Sequence, residues 1–287
     1  MVFRSLLISD MDGGDKKNNL HNKRIRMETK CWLFVPAKEK TLSKIKPTNE
    51  FVVIIDLEDS IPESDKDIAL ISAKEYIAEN AKFCSNIVVR LNRCRLQREL
   101  LELSQWPVGF MIPKFEIGDE LNMHESLLAG HRLIALIETP RGVQNVAKIA
   151  SNDGVDVIAF GAEDFTATMN MENSNDFLLP IKIQLVTAAK ANHKLVIDTP
   201  SFNVTDNTLF EQDVDYSIRI GFDGKMAIHP KHLKYIIDCF TRCDRAYLEF
   251  VINEYEKLGG GVQMIDGKVY EGMHINRLRK IIKESKI

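Results

Sequence analysis

The 287-residue chain carries 38 basic and 41 acidic residues, a formal net charge of −3, so no global positive field draws in nucleic acid or an anionic membrane surface. Its length suits one large α/β domain at least as well as two small ones, and no apolar run approaches the roughly 18 residues of a membrane span. The five cysteines, Cys31, Cys84, Cys94, Cys239 and Cys243, are odd in number and form no CxxC pair, which argues against a zinc ribbon or a disulfide framework and for a reducing, cytoplasmic setting.

Residues 1–30 are largely polar and show no helical or alternating periodicity beyond a short Leu6–Ile8 stretch, and they read as a flexible N-terminal extension. From residue 31 short β-rich apolar runs alternate with helically spaced stretches. The runs are Cys31–Pro36, Phe51–Asp59, Ile87–Asn92, Gly109–Lys114, Arg132–Thr139, Asp156–Asp164, Lys194–Pro200 and Lys225–Pro230. Candidate helices include Glu63–Asn80, where Ile68, Ile71, Tyr76 and Ala78 only partly follow a helical stripe, and Arg141–Ala150. Eight β-then-α units predict an α/β fold of the closed (β/α)8 TIM-barrel type over residues 31–232, because an open doubly wound sheet usually has fewer strands and a Gly-rich loop after the first. Pro36-Ala-Lys stands there instead. The remainder, 233–287, reads as a helical lid or oligomerisation arm: one or two helices over Leu233–Gly259, a Gly259-Gly-Gly261 hinge, a hairpin-like Val262–Tyr270 and a basic helix from about Asn276.

In such a barrel the residues just past each strand face one another across the mouth. These ends are Asp56-Leu-Glu58-Asp59, Arg90-Leu-Asn92, Pro113-Lys114-Phe-Glu116, Glu138-Thr-Pro140, Gly161-Ala-Glu163-Asp164, Asp198-Thr-Pro200 and His229-Pro230. Any one charge at a strand end is equally readable as ordinary surface. Together they suggest carboxylates held around one cavity by Glu138, Glu163 and Asp164, where repulsion is relieved by a hard divalent cation, Mg²⁺ or Mn²⁺. Arg90 offers a fixed fork for a carboxylate and Lys114 a point charge, which suits a 2-oxo acid whose carbonyl a metal polarises. Lys114 is read as paired with Glu116 or Glu138 rather than as a Schiff-base lysine, and His229 as a local hydrogen-bonding group.

The strings Leu33-Phe-Val-Pro36, Ile55-Asp-Leu-Glu-Asp59, Val89-Arg-Leu-Asn92, Ile137-Glu-Thr-Pro-Arg-Gly-Val143, Phe160-Gly-Ala-Glu-Asp164 and Gly221-Phe-Asp-Gly-Lys-Met-Ala-Ile-His-Pro230, in this order, resemble the HpcH/HpaI aldolase and citrate lyase superfamily, in particular its citrate lyase beta subunit and malyl-CoA lyase branch. The resemblance implies a lyase that splits a 3-hydroxyacyl thioester of citryl, malyl or citramalyl type, carried on CoA or an acyl carrier protein, into an acyl thioester and a 2-oxo acid. It implies Glu138 and Asp164 as magnesium ligands, with Glu58 and Asp59 buttressing the metal's waters, while Glu163 and Asp198 are read from their strand ends as supporting groups, Asp198 equally as a structural one. Arg90, Glu58 and, from a lid, Glu271 are then the catalytic groups, and Arg90, Lys114 and Pro140 contact the substrate. It further implies a homo-oligomer in which a neighbour's lid brings an acidic residue over the site. Here the chain departs from the resemblance: Gly267-Lys-Val-Tyr-Glu271 puts a Glu where relatives carry Asp, Lys182 stands where Arg is frequent, and Lys30-Cys31 and Ala37 replace Arg-Ser and Gly. The competing readings are a CoA-free, class II type 2-oxo-acid aldolase, a malyl-CoA-type thioester hydrolase, and an altered member with a binding or assembly role.

Overall fold

Parallel strands covered on both faces need apolar side chains at nearly every position, and the eight runs supply them. In the computed structural model, which describes residues 29–116, 125–241 and 245–284, they form β1 (Cys31–Pro36), β2 (Phe51–Asp56), β3 (Ile87–Arg90), β4 (Gly109–Ile112), β5 (Leu133–Ile137), β6 (Val157–Phe160), β7 (Leu195–Asp198) and β8 (Gly224–Ala227). All are parallel and pair in chain order, and Cys31 opposite Lys225 closes the ring. Apart from Thr29 and Lys30, the expected extension lies outside the described residues, as does Cys243.

Alternation sorts the side chains into two cores. Trp32, Ile54, Val88, Met111, Ile134, Ile197 and Met226 fill the barrel, while Leu33, Val53, Val89, Phe110 and Val196 turn outward to the helices. The strands are shorter than their apolar runs because polar groups redirect the chain at the mouth. Asp56 shows how: its Oδ1 accepts the Glu58 N–H (2.9 Å) and its Oδ2 the Ser60 N–H (3.3 Å), ending β2 before Glu58 is reached.

The barrel helices are α1 (Glu39–Leu42), α2 (Lys66–Glu79), α3 (Leu96–Leu103), α4 (Glu125–Leu128), α5 (Pro140–Ala150), α6 (Ala162–Met169), α7 (Asn175–Ala191), α8 (Asn207–Ile220) and α9 (Leu233–Thr241). The stripe expected on α2 is corrected. Ile68 and Ile71 are 66% and 55% exposed, and the face on the barrel is Ala69, Leu70, Ala73, Tyr76 and Ile77. Ile236 of α9 is fully buried in the outer core, so α9 packs on the barrel as its neighbours do.

Beyond it, α10 (Arg245–Lys257), the hairpin β9 (Gln263–Ile265) and β10 (Lys268–Tyr270), and α11 (Gly272–Glu284) gather around a core of their own: Val251, Ile252, Tyr255, Ile265 and Ile275. Asp266 and Gly267 join the strands, both at positive φ (50° and 71°), as a two-residue hairpin loop of this hand requires. The last helix begins at Gly272, four residues before the expected start.

A buried ionic cluster fastens the last quarter of the ring. Asp198 Oδ2, at the end of β7, accepts from Lys182 Nζ of α7 (3.0 Å), Lys225 Nζ of β8 (3.0 Å) and Ser217 Oγ of α8 (2.5 Å). Lys225 also reaches Asp213 of α8 at 3.2 Å. Burial pushes the Asp198 carboxyl up, but the charges of Lys225 and Lys182 outweigh it and hold the group at about 2.

Candidate active site

Register builds one half of the site. Asp56 and Arg90 are directly paired positions on β2 and β3, so their side chains leave neighbouring strand ends together. Arg90 Nε donates to Asp56 Oδ1 (2.7 Å) and Nη2 to Oδ2 (2.8 Å), a two-pronged pair. Its Nη1 donates to Asp59 Oδ2 (3.0 Å) and approaches Glu58 Oε2 at 3.1 Å, and the guanidinium lies 5.1 Å from the Phe34 ring centroid. Burial alone would raise the Asp56 carboxyl, but the Arg90 bonds and charge outweigh it and keep Asp56 below the usual carboxylate range. Burial opposes the charge on Arg90, and Asp56, Glu58 and Asp59 more than restore it.

The other half turns on the backbone of Lys114, at φ 50°, a left-handed conformation costly for a side chain of this size. It is held from both sides: its N–H donates to Glu138 Oε1 (2.8 Å), and its carbonyl accepts from Arg93 Nη1 (2.5 Å). The side chain then reaches Glu58 Oε1 (3.1 Å) and Asp164 Oδ2 (2.9 Å), so the expected pairing with Glu116 or Glu138 is replaced by Glu58 and Asp164. Burial lowers the Lys114 ammonium, and Asp164 and Glu58 bring it back above the ordinary lysine value. Glu138 is 3% exposed. Burial first, then the charge of Glu58, pushes it up to about 8. Glu58 is raised as well, by burial and Asp59 against Arg90 and Lys114. Gly161 is obligatory beside them, because a Cβ there would stand 2.5 Å from Glu138 Oε2.

These groups surround a cavity of about 460 Å³ at the C-terminal ends of the strands. It is divided by origin. Strands β2, β3, β5 and β6 send in Asp56, Asp59, Arg90, Glu138, Glu163 and Asp164, a charged arc. Strands β7, β8 and β1 send in Pro200, Phe202, Met226, Ile228, Phe34 and Pro36, an apolar arc. Thr199 lies where the arcs meet, its Oγ1 accepting the Ala162 N–H at 3.2 Å.

Among the described residues no three His, Cys, Asp or Glu side chains converge as a ready ligand set. The donors available are two carboxylates, Glu138 and Asp164, on one cavity where, among the described residues, five lining carboxylates face Arg90 and the Lys114 ammonium that meets Asp164 at 2.9 Å. That excess of hard, negative oxygen suits a small divalent ion that keeps most of its water, as Mg²⁺ does.

Other expected residues fall elsewhere. Glu163 and Asp164 stand in the first turn of α6, because β6 ends at Phe160. Glu163 accepts from Asn173 Nδ2 (2.7 Å) on the exposed side of the mouth. Asp198 does not back the carboxylate pair. It follows Ile197, which points into the barrel, and so faces the helix layer, as does the fully buried Lys182 that binds it. Pro140 occupies the first turn of α5 behind the Thr139 cap, outside the cavity lining. Glu271 lies between β10 and α11, also outside the lining, with its N–H on His274 Nδ1 (3.2 Å). His229 accepts the Lys231 N–H at 3.1 Å, a local bond. Asp56, Phe34 and Gly161 escaped selection from sequence. Asp56 was visible as the first acid of Asp-Leu-Glu-Asp, but its role depends on β2–β3 register.

A closed eight-stranded barrel whose acid-rich mouth lies at the C-terminal strand ends is the architecture of a (β/α)8 enzyme fold. The chain belongs to the HpcH/HpaI aldolase/citrate lyase family, whose model matches residues 30–230. A (3S)-malyl-CoA thioesterase of Cereibacter sphaeroides is 26% identical over 87% of this chain and 92% of the relative. Citrate lyase subunit beta of Haemophilus influenzae is 26% identical over 88% of this chain and 96% of the relative. The Mycobacterium tuberculosis citrate lyase beta subunit complexed with oxaloacetate and magnesium superposes with a TM-score of 0.67 and 26% identity, covering 75% of this chain and 99% of that structure. Among the described residues no helix is long and apolar enough to cross a membrane.

Proposed function

We propose that the protein is a Mg²⁺-dependent carbon–carbon lyase that splits a 3-hydroxyacyl thioester into an acyl thioester and a 2-oxo acid. The observation that carries this reading is the pair Glu138 and Asp164 on one cavity with a pre-fixed Arg90. Glu138 and Asp164 would hold the ion, which when bound supplies Lewis-acid polarisation of the substrate's hydroxyl and carboxylate oxygens. Asp56 and Asp59 fix the Arg90 guanidinium before substrate arrives. Three of its five N–H groups are committed to them, leaving donors for the oxygen on which negative charge develops. Glu58 and Lys114 brace this arrangement from the side. As the carbon–carbon bond breaks, the hydroxyl proton passes to the carboxylates of the mouth and the electron pair stays on the acyl α-carbon, which must be protonated. Glu271 lies outside its own chain's cavity, so we assign that step to Glu271 of a second copy, with the unit from residue 245 onward acting as lid and oligomer arm.

Hydrolysis of the thioester is the second reading, favoured by the relative named for that activity. The deciding experiment supplies Mg²⁺ with malyl-, citramalyl- and citryl-CoA and follows products by mass spectrometry. Paired release of 2-oxo acid and shortened acyl-CoA, abolished by EDTA and by Glu138→Gln, is expected. Free CoA with an intact hydroxy acid would make the protein a hydrolase. Cleavage of a CoA-free hydroxy acid alone would make it an aldolase, and magnesium binding without any turnover would point to a binding or assembly role.

A further inference from the structure

Two buried charges, Lys66 and Glu99, stand behind the mouth without lining its cavity. Lys66, at the start of α2, donates through Nζ to the carbonyls of Leu57 (2.8 Å) and Glu58 (2.6 Å). Glu99, on α3, accepts the Asn92 N–H through Oε2 at 2.7 Å. Each grips the turn that follows a strand, β2 for Lys66 and β3 for Glu99, from the helix that comes next in the chain. The signs suit the partners, since buried carbonyls call for a donor and a buried N–H for an acceptor. Burial pushes the Glu99 carboxyl up against the Asn92 bond and the charge of Lys66, so the two clamps also offset each other's charge.

The gripped turns carry the residues that hold Arg90. Leu57 and Glu58 lie between Asp56 and Asp59, which both bond the guanidinium, and Glu58 itself approaches Arg90 Nη1 and Lys114 Nζ, each at 3.1 Å. Asp56 accepts the Glu58 and Ser60 N–H groups from inside this turn, and Lys66 takes its carbonyls from outside. Asn92 stands two residues past Arg90, and the Leu57 N–H donates to the Arg90 carbonyl at 3.1 Å, which ties the two turns together. Losing the Lys66 ammonium takes a donor from two buried carbonyls at once and releases the peptides that aim Glu58 and Asp59.

We propose that Lys66 and Glu99 are positioning residues for the Arg90 guanidinium, locking the turns after β2 and β3 from behind so that Asp56, Arg90 and Asp59 are rigid before substrate arrives. Their hold on Arg90 is independent of what the mouth binds, whereas their effect on turnover rests on the lyase reading. In that reading Arg90 meets charge that develops only as the carbon–carbon bond breaks, so slack behind it appears in kcat and little in KM. A displacement of about 1 Å at such a group costs about a hundredfold in rate.

The test reads Arg90 directly, through hydrogen exchange of its side-chain Nε–H in the NMR spectrum of the full chain, the signal being identified by its absence from Arg90→Lys. Lys66→Met and Glu99→Leu are expected to speed that exchange at least about tenfold, and Lys66→Arg, which keeps the donors, to restore most of the protection. Asp198→Asn is the comparison: it loosens the far side of the ring and should leave the Arg90 exchange as it was. With Mg²⁺ and whichever of malyl-, citramalyl- or citryl-CoA is turned over, Lys66→Met should lower kcat about a hundredfold and change KM less than about threefold. Unchanged Arg90 exchange in Lys66→Met, or equal acceleration in Asp198→Asn, would overturn the inference, as would a loss that falls on KM alone. Should Lys66→Met fail to fold, Glu99→Leu decides in the same way through Asn92. No turnover of any thioester by the unaltered protein would remove the lyase reading, and the exchange comparison would still decide the inference.

Discussion

At the residue scale, the site shows how a side chain's partner is fixed by strand register rather than by sequence distance. Asp56 and Arg90 are 34 positions apart and bond because β2 and β3 align them. The acids and the arginine were legible as strand ends, but their pairing was not, since no local pattern states which strands are neighbours. Glu99 is a quieter case. It is 2% exposed, accepts the Asn92 N–H at 2.7 Å, and burial pushes it up to about 7. Its folded value lies above its unfolded one, so between the two the native state binds more protons. Its contribution is full below the unfolded value and is lost as pH rises through about 7. Glu99→Gln keeps the acceptor and removes the titration. Urea midpoints should therefore show the variant gaining on the unaltered protein between about pH 5 and about pH 8. A constant difference across that window would mean that Glu99 titrates normally.

At the element scale, eight strands could be read from sequence because each is a short, mainly apolar run, broken only in β8 by Lys225, whereas their ends could not. Hydrophobicity does not register the Asx-type turn at Asp56, nor the passage of Glu163 and Asp164 into a helix. The exposed Ile68 and Ile71 misled the reading of α2 because small residues, Ala69 and Ala73, form part of its buried face. The junction of β6 with α6 gives a sharp prediction. A Cβ at Gly161 would meet Glu138 Oε2 at 2.5 Å and its Cβ at 2.8 Å, and Glu138 is pinned by the Lys114 N–H. Gly161→Ala should leave the far-ultraviolet circular dichroism intact and weaken Mn²⁺ binding, measured by calorimetry, at least tenfold, about 1.4 kcal/mol. Undiminished Mn²⁺ affinity would remove Glu138 from the ion's coordination.

At the scale of the whole molecule, the barrel is closed by apolar packing around most of the ring and by the Asp198 cluster over its last quarter. Sequence showed the lysines and the aspartate but not that they meet, since Lys182, Asp198 and Lys225 lie on three different elements, α7, β7 and β8. Losing one partner strands the other charges out of water, at a cost of about 3–5 kcal/mol. Asp198→Asn should lower the denaturant midpoint accordingly while leaving the mouth chemistry in place at low temperature. An unchanged midpoint would show that the cluster contributes nothing net. The tail builds a small core of its own around Tyr255 and Ile265 because the Asp266-Gly267 turn folds its hairpin onto α10 and α11.

The division of the mouth by strand number has a stereochemical consequence. A tetrahedral carbon that gives its hydroxyl and carboxylate to the β2–β6 side and its alkyl group to the β7–β1 side has its fourth bond, to the thioester-bearing carbon, directed one way only. Its mirror image must put hydrocarbon among the carboxylates or the carboxylate against Met226 and Ile228. The ring therefore discriminates enantiomers through the order in which its strands follow one another, and a racemic hydroxyacyl thioester should be consumed to half.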